Sequence, residues 1–112
     1  MNRYLIEGSY KPEGAKGLLT VGGTQRRVEI QDMIAKLGGK LETFYWAFGD
    51  TDFYIIAEVP DAATAAAIGL TVSGAGAVSM KTTVLLTAEE IDQARSKNVE
   101  YRVPGASQKA AA

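Results

Sequence analysis

The sequence contains no cysteine and no histidine. The absence of cysteine excludes disulfides, thiolate nucleophiles, iron–sulfur clusters and cysteine-bound zinc. The absence of histidine excludes a serine–histidine–aspartate triad and histidine-bound haem or zinc, and it leaves no side chain whose ordinary pKa is near 7. Acid–base chemistry would need a shifted Asp, Glu, Lys or Tyr. We therefore expect no cofactor and no metal, although oxygen-only sites for Mg²⁺ or Ca²⁺ are not excluded.

The sequence also lacks an excess of charge of either sign and a long apolar run. Its 112 residues include 12 basic and 13 acidic side chains, and 46% are apolar. The charge balance argues against nucleic-acid and membrane-surface partners. No apolar run approaches the roughly 18 residues of a membrane span, and the N-terminal residues do not resemble a secretory signal. We expect one small domain in the cytosol.

The spacing of apolar residues and turn signals predicts an α+β protein with elements in the order β-α-β-β-α-β, followed by an extra C-terminal helix. This is the ferredoxin-like arrangement, with two helices on one face of an antiparallel sheet. Strands are predicted at residues 3–10, 40–48, 52–59 and 78–86. Helical segments are predicted at residues 15–21, 24–37, 61–73 and 87–97. Thr24, Asp61 and Thr87 are predicted N-caps.

The last residues are predicted to form a tail. Residues 1–97 form the predicted domain, and residues 98–112 follow it. Residues 99–103 alternate with period two, which predicts a short strand that pairs with another chain. The alanine-rich end is expected to be disordered.

The two faces of the predicted sheet differ in polarity. One face is nearly all apolar and is expected to pack against the helices: Tyr4, Ile6, Phe44, Trp46, Phe48, Phe53, Ile55, Ala57, Val59, Met80, Thr82, Val84 and Leu86. The other mixes polar residues with Leu5, Tyr45, Tyr54, Ile56 and Leu85, too apolar for a face in water. We therefore expect a homodimer, or a higher homo-oligomer, in which two sheets press face to face.

Several motifs resemble those of the GYD domain family. They are residues 44–48 followed by Gly49-Asp50-Thr51-Asp52, together with residues 14–18, 22–27 and 81–83. The resemblance covers about residues 4–90 and implies a dimeric α+β barrel of uncertain activity. Relatives of this barrel type include cofactor-free oxygenases and isomerases.

This sequence departs from the family pattern at one position. The pattern usually has tyrosine where Thr51 stands here. If that tyrosine is functional, its ring or hydroxyl is either lost in this chain or supplied by Tyr45 or Tyr54.

Two carboxylates are candidate catalytic bases, Asp52 and Glu58. Asp52 and Asp50 flank the predicted hairpin turn, where they either bind a cation or act as a base, or simply stabilise the turn. Glu58 shares the mixed face with Glu7 and Lys81. These three side chains form either a cluster that polarises a ligand or a structural charge cluster.

The candidate ligand-binding residues for an apolar or aromatic metabolite are Phe44, Tyr45, Trp46, Tyr54, Arg26, Arg27 and Lys81. The aromatic residues either line a pocket between sheet and helices or are simply core. The arginines lie at the entry to a helix, where they either hold a phosphate or carboxylate or are solvated. Two functions remain open. The first is a protein that binds a metabolite, either without catalysis or as an enzyme. The second is a structural or regulatory subunit that acts through its oligomer interface.

Overall fold

The four predicted strands form one antiparallel sheet in a computed structural model that describes residues 1–105. The elements are β1 (Asn2–Tyr10), α1 (Pro12–Lys36), β2 (Lys40–Trp46), β3 (Phe53–Val59), α2 (Ala62–Ala75), β4 (Val78–Leu85) and α3 (Ala88–Arg95). The strand order is β2-β3-β1-β4, and α1 and α2 lie on one face. The open sheet and this element order confirm the predicted ferredoxin-like α+β fold.

The core lies between the sheet and the two helices. Side chains alternate along β1 and β3 between buried and more exposed positions, as period-two patterning predicts. The buried apolar residues are Tyr4, Ile6, Ile34, Phe44, Phe53, Ile55, Ala57, Val59, Ile68 and Val78. All but Ile34 and Ile68 are supplied by the sheet, so the sheet contributes most of the core.

Helix α1 begins earlier than predicted. Pro12 occupies its first turn, where a missing N–H costs nothing, and the helix continues to Lys36 with one interruption at Gly22 (φ 80°, ψ 166°). The predicted N-cap at Thr24 is wrong, because the interruption ends at Gly22 and Thr24 lies inside the helix that follows. Gly14 allows the early start, since a Cβ there would lie 2.3 Å from the carbonyl oxygen of Ala77.

The other helix caps follow the sequence. The Asp61 side chain accepts a hydrogen bond from the Thr64 N–H at 2.8 Å and caps α2. Thr87 and Glu90 form the predicted capping box of α3. Helix α1 is followed by Gly38, which has a left-handed φ of 81°, a conformation that commonly ends helices.

Four of the residues that were predicted to pack against the helices are exposed to solvent instead. Phe48 lies beyond the end of β2, has a positive φ of 56° and is exposed, because the strand ends at Trp46. Thr82, Val84 and Leu86 are also exposed. Thr82 and Val84 lie in the second half of the edge strand β4, and Leu86 lies just beyond its end.

The C-terminal part of the described chain is exposed. Helix α3 has no buried residue. Residues 99–103 form no strand within this chain, so their pairing with another chain stays a prediction. The predicted disorder of the alanine-rich end falls largely outside the described residues. None of the helices in residues 1–105 has the length and apolar character needed to cross a membrane.

Candidate functional site

A small cavity lies between the sheet and the helices, and we call it the inner cavity. Its volume is about 40 Å³. Its lining residues are Ile6, Tyr10, Arg26, Ile30, Met33, Ile34, Phe44, Phe53, Ile55, Ile68, Val72, Val78 and Met80. Eleven of these thirteen side chains are apolar, so the space favours an apolar group.

A second space adjoins the first, and we call it the outer pocket. It has a volume of about 210 Å³ and shares Tyr10, Arg26 and Val78 with the inner cavity. Its other walls include Glu13 and Glu29 of α1. The two spaces together fall short of the about 300–1,000 Å³ that is typical of ligand pockets, so they suit only a molecule smaller than a drug-sized ligand.

Tyr10, the last residue of β1, is the centre of the aromatic contacts beside the inner cavity. Its hydroxyl accepts a hydrogen bond from Trp46 Nε1 at 2.9 Å. Its ring lies 5.3 Å from the ring of Phe53, and Phe44 stacks on Trp46 at 4.2 Å. Edge and stacked contacts of this kind hold aromatic rings in fixed orientations. The lone tryptophan is therefore coupled to the cavity through Tyr10 and Phe44.

The kink in α1 brings that helix close to the same cluster. A Cβ at Gly23 would lie 3.6 Å from the ring of Trp46, which is ordinary contact distance. Three residues later, Arg26 reaches both spaces, and its Nη1 donates to Glu29 Oε1 at 3.2 Å. This pair lies one helical turn apart and is about a third exposed.

Asp52 fixes the β2–β3 turn against β1. Its Oδ2 accepts a hydrogen bond from the backbone N–H of Tyr10 at 2.7 Å, and its own N–H donates to the Gly8 carbonyl at 2.8 Å. Asp50, in contrast, is exposed. The structure therefore gives the two carboxylates different environments. Asp52 is bonded to the backbone of Tyr10, but it lines neither the inner cavity nor the outer pocket.

Glu58 lies away from the cavity, on the face of the sheet opposite α1 and α2. We call this the open face; it also carries Tyr45, Tyr54 and Ile56. Its Oε1 accepts from Arg3 Nη2 at 2.6 Å, and Arg3 also binds Glu42 through Nε and Nη2 at 2.8–3.1 Å. The hydrogen bond from Arg3, followed by its positive charge, lowers the pKa of the Glu42 carboxyl. Bonding to Glu42 raises the pKa of Arg3 in turn.

The predicted Glu7–Glu58–Lys81 cluster is divided by the strand register. Glu58 is opposite Arg3, whereas Glu7 is opposite Lys81. Lys81 and Glu7 line a separate polar pocket of about 220 Å³ together with Thr51. The position where the family pattern usually has tyrosine therefore borders this polar pocket and not the inner cavity.

The remaining ligand-binding candidates lie outside the inner cavity. Tyr45 and Tyr54 are cross-strand neighbours on the open face, 69% and 38% exposed. Arg27 is exposed and lines neither the inner cavity nor the outer pocket. Of the seven candidates, Phe44 and Arg26 line the inner cavity, and Trp46 stacks on Phe44 without lining either space. Within the described residues, no group of three or more acidic side chains is placed to hold a metal ion.

Sequence reasoning missed two residues of this site. Tyr10 was assigned only to a strand, yet the Lys-Pro step directly after it marks the end of β1, where a side chain is free to border a pocket. Glu29 follows Arg26 by three residues, a helical spacing that indicates an ion pair. Both signals were present in the sequence.

Comparison with known proteins identifies a family. The family model described as the GYD domain matches residues 4–94. This chain belongs to the GYD domain family. The match spans β1 from Tyr4 onward, the other three strands and almost all of α3, so the GYD domain includes the inner cavity and nearly all of the open sheet face. No curated protein and no solved structure matches the chain.

Proposed function

We propose that this GYD domain protein binds a small apolar or aromatic metabolite in the inner cavity and outer pocket. The observation that carries the proposal is a continuous lining that is apolar inside and polar at the outer end. A packing defect would not need a polar end, whereas ligand sites commonly combine an apolar wall with a few placed polar groups.

The protein is proposed to act as a homodimer through its open sheet face. This face carries Tyr45, Tyr54 and the half-buried Ile56, with no helix over them. Contiguous exposed apolar side chains of this kind mark interaction surfaces. A second copy would bury the same patch on both chains, as a two-fold interface requires.

In the catalytic form of the proposal, the protein is a cofactor-free oxygenase or isomerase. Asp52 is then a better base than Glu58, because Asp52 is bonded to the backbone N–H of Tyr10 beside the two spaces, whereas Glu58 is held by Arg3 on the open face. Positioning and exclusion of water by the apolar lining would supply the rest.

A second candidate function is a structural or regulatory subunit that acts only through its interfaces. It is favoured by the exposed C-terminal segment, in which α3 has no buried residue and the apolar residues Val99, Tyr101 and Val103 are exposed. In this case the two spaces bind nothing, and removal of residues 98–112 changes the oligomer.

Ligand titration followed by Trp46 fluorescence tests the binding function. Ethylbenzene and acetophenone, both single-ring probes, are expected to change the emission, since Trp46 contacts Phe44 and Tyr10 beside the cavity. In Val72→Phe, the added ring fills the inner cavity and should abolish the response. Leu70→Phe is the matched control, because Leu70 is on the same helix and 76% exposed.

Two outcomes would contradict the proposal. The first is no response to either probe at millimolar concentration. The second is a response that Val72→Phe retains, which would place the probes elsewhere. Mass spectrometry of natively purified protein adds an independent check, in which a co-purifying small molecule is expected.

A further inference from the structure

Two polar side chains serve both the inner cavity and the outer pocket. They are Tyr10 and Arg26, and all other side chains that line the inner cavity are apolar. The polar group of a ligand that lies in the outer pocket and reaches into the inner cavity with an apolar group therefore meets these two residues. Their hydrogen-bonding capacity determines which polar group fits.

Tyr10 has a hydrogen to donate. Its oxygen already accepts from Trp46 Nε1 at 2.9 Å, so the bond to Trp46 uses a lone pair and leaves the O–H. Within residues 1–105 no protein group accepts that hydrogen. The tryptophan contact also fixes the position of the hydroxyl oxygen.

Arg26 also has donors to spare. A guanidinium carries five N–H groups and no acceptor. One of them donates to Glu29 at 3.2 Å, and no other side-chain bond of Arg26 is formed among the described residues. Tyr10 and Arg26 therefore both present donors, and the matching group on a ligand is an oxygen acceptor.

The charge of the outer pocket selects among oxygen acceptors. Glu13 and Glu29 both line it beside Arg26, so its side chains carry one positive and two negative charges. A carboxylate or phosphate would meet two like charges there, whereas a neutral carbonyl oxygen would not. The donors thus favour a neutral acceptor over an anion.

We propose that the ligand is a small apolar carbonyl compound, such as a ketone, whose oxygen accepts hydrogen bonds from the Tyr10 hydroxyl and the Arg26 guanidinium. This inference rests on the binding function proposed above and adds the chemical class of the ligand. Two donors on one carbonyl oxygen also stabilise negative charge that develops on it.

A matched set of probes tests the inference in the intact protein. Acetophenone and ethylbenzene have similar shapes and differ in the carbonyl, and benzoate replaces the ketone with an anion. We expect acetophenone to bind about tenfold more tightly than ethylbenzene, the effect of about one net hydrogen bond, and benzoate to bind more weakly than acetophenone. Carbonyl-¹³C acetophenone should show a downfield shift when bound.

Arg26→Met removes the donors and keeps an apolar stem, and Tyr10→Phe removes the hydroxyl. In both variants the ratio of the affinities for acetophenone and ethylbenzene should fall close to one, and the ¹³C shift should be smaller. Arg27→Met is the matched control, since Arg27 is the adjacent exposed arginine that lines neither space. Because Tyr10→Phe also removes the partner of Trp46, Arg26→Met remains informative if that variant folds poorly.

The outcomes separate this inference from the binding function. Equal affinity for acetophenone and ethylbenzene would overturn the carbonyl assignment and leave the apolar binding function standing. Tighter binding of benzoate would also overturn it, in favour of an anionic ligand. Failure of every probe to bind the unchanged protein would contradict both proposals.

Discussion

The covered and open faces of the sheet use the same strands for different purposes. On β3, Phe53, Ile55 and Ala57 point into the core, and each is at most 5% exposed. The residues between them, Tyr54 and Ile56, lie on the open face and keep part of their surface in water. The covered face is closed within one chain, whereas the open face is not.

The polar residues of the two faces differ in the same way. No polar or charged residue is buried in the core of the described chain. The open face instead carries the Arg3–Glu42–Glu58 ion pairs beside its apolar side chains. The comparison indicates that the covered face determines the stability of one chain, whereas the open face is the surface through which we propose that two chains associate.

The largest effect on stability is expected from truncation of the covered face. Phe53→Ala removes a ring that is 5% exposed and contacts Tyr10 and Phe44, which should lower the free energy of unfolding by about 3–5 kcal/mol. Tyr45→Ala on the open face should lower it by no more than about 1 kcal/mol in the monomer. Urea denaturation at low protein concentration measures both. Equal losses would remove the distinction between the faces.

A charge on the open face should act on association. Ile56 lies opposite Leu5 and Thr43 near the middle of that face, so Ile56→Glu would bury a carboxylate in the proposed dimer. We expect the dimer dissociation constant to rise at least about 100-fold, or about 3 kcal/mol. Sedimentation velocity at micromolar concentration measures the dissociation constant, and Leu70→Glu, at an exposed position of α2, is the control. An unchanged protein that sediments as a monomer would contradict the dimer.

A smaller effect is expected from crowding the covered face at Gly8. A Cβ there would lie 2.1 Å from the Phe53 ring, which is itself packed against Tyr10 and Phe44. Gly8→Ala should therefore cost about 1–3 kcal/mol. Gly69→Ala in α2 meets nothing within 4 Å and should instead stabilise by about 0.5–1 kcal/mol. Opposite shifts in the urea midpoint are expected, and a neutral Gly8→Ala would show that the ring can move freely.

Local sequence signals predicted most of the fold. Period-two alternation located β1 and β3, and the chemistry of Asp61 and Thr87 located the starts of α2 and α3. The start of α1 was not predicted, because the segment from Glu13 to Val21 has no clear apolar stripe and its position depends on the close approach of Gly14 to Ala77. Contacts between residues distant in sequence therefore determine where α1 begins.

The candidate site was less predictable, for a related reason. Phe44 and Trp46 were found from their alternation, and Arg26 from its place near a helix entry. The role of Tyr10 depends on Trp46, which is 36 residues away. The partner of Glu58 depends on a strand register that places Arg3, and not Lys81, opposite it. Strand register is set by the whole sheet, so local patterns do not reveal such pairs.

The smallest effect is expected from the ion pairs of the open face, through pH. Arg3 lowers the pKa of Glu42 in the folded chain. The pair therefore stabilises the fold at pH values above the ordinary glutamate pKa of 4.5, and this stabilisation is lost as the pH falls through the lower pKa of the folded chain. Glu42→Gln should therefore flatten the decline of Tm between about pH 5 and 3. The difference should be about 2 °C or less, since the pair is partly exposed. Asp32→Asn, at an exposed position of α1, is the control. A decline of Tm as steep in Glu42→Gln as in the unchanged protein would show that the Arg3–Glu42 pair does not contribute to stability.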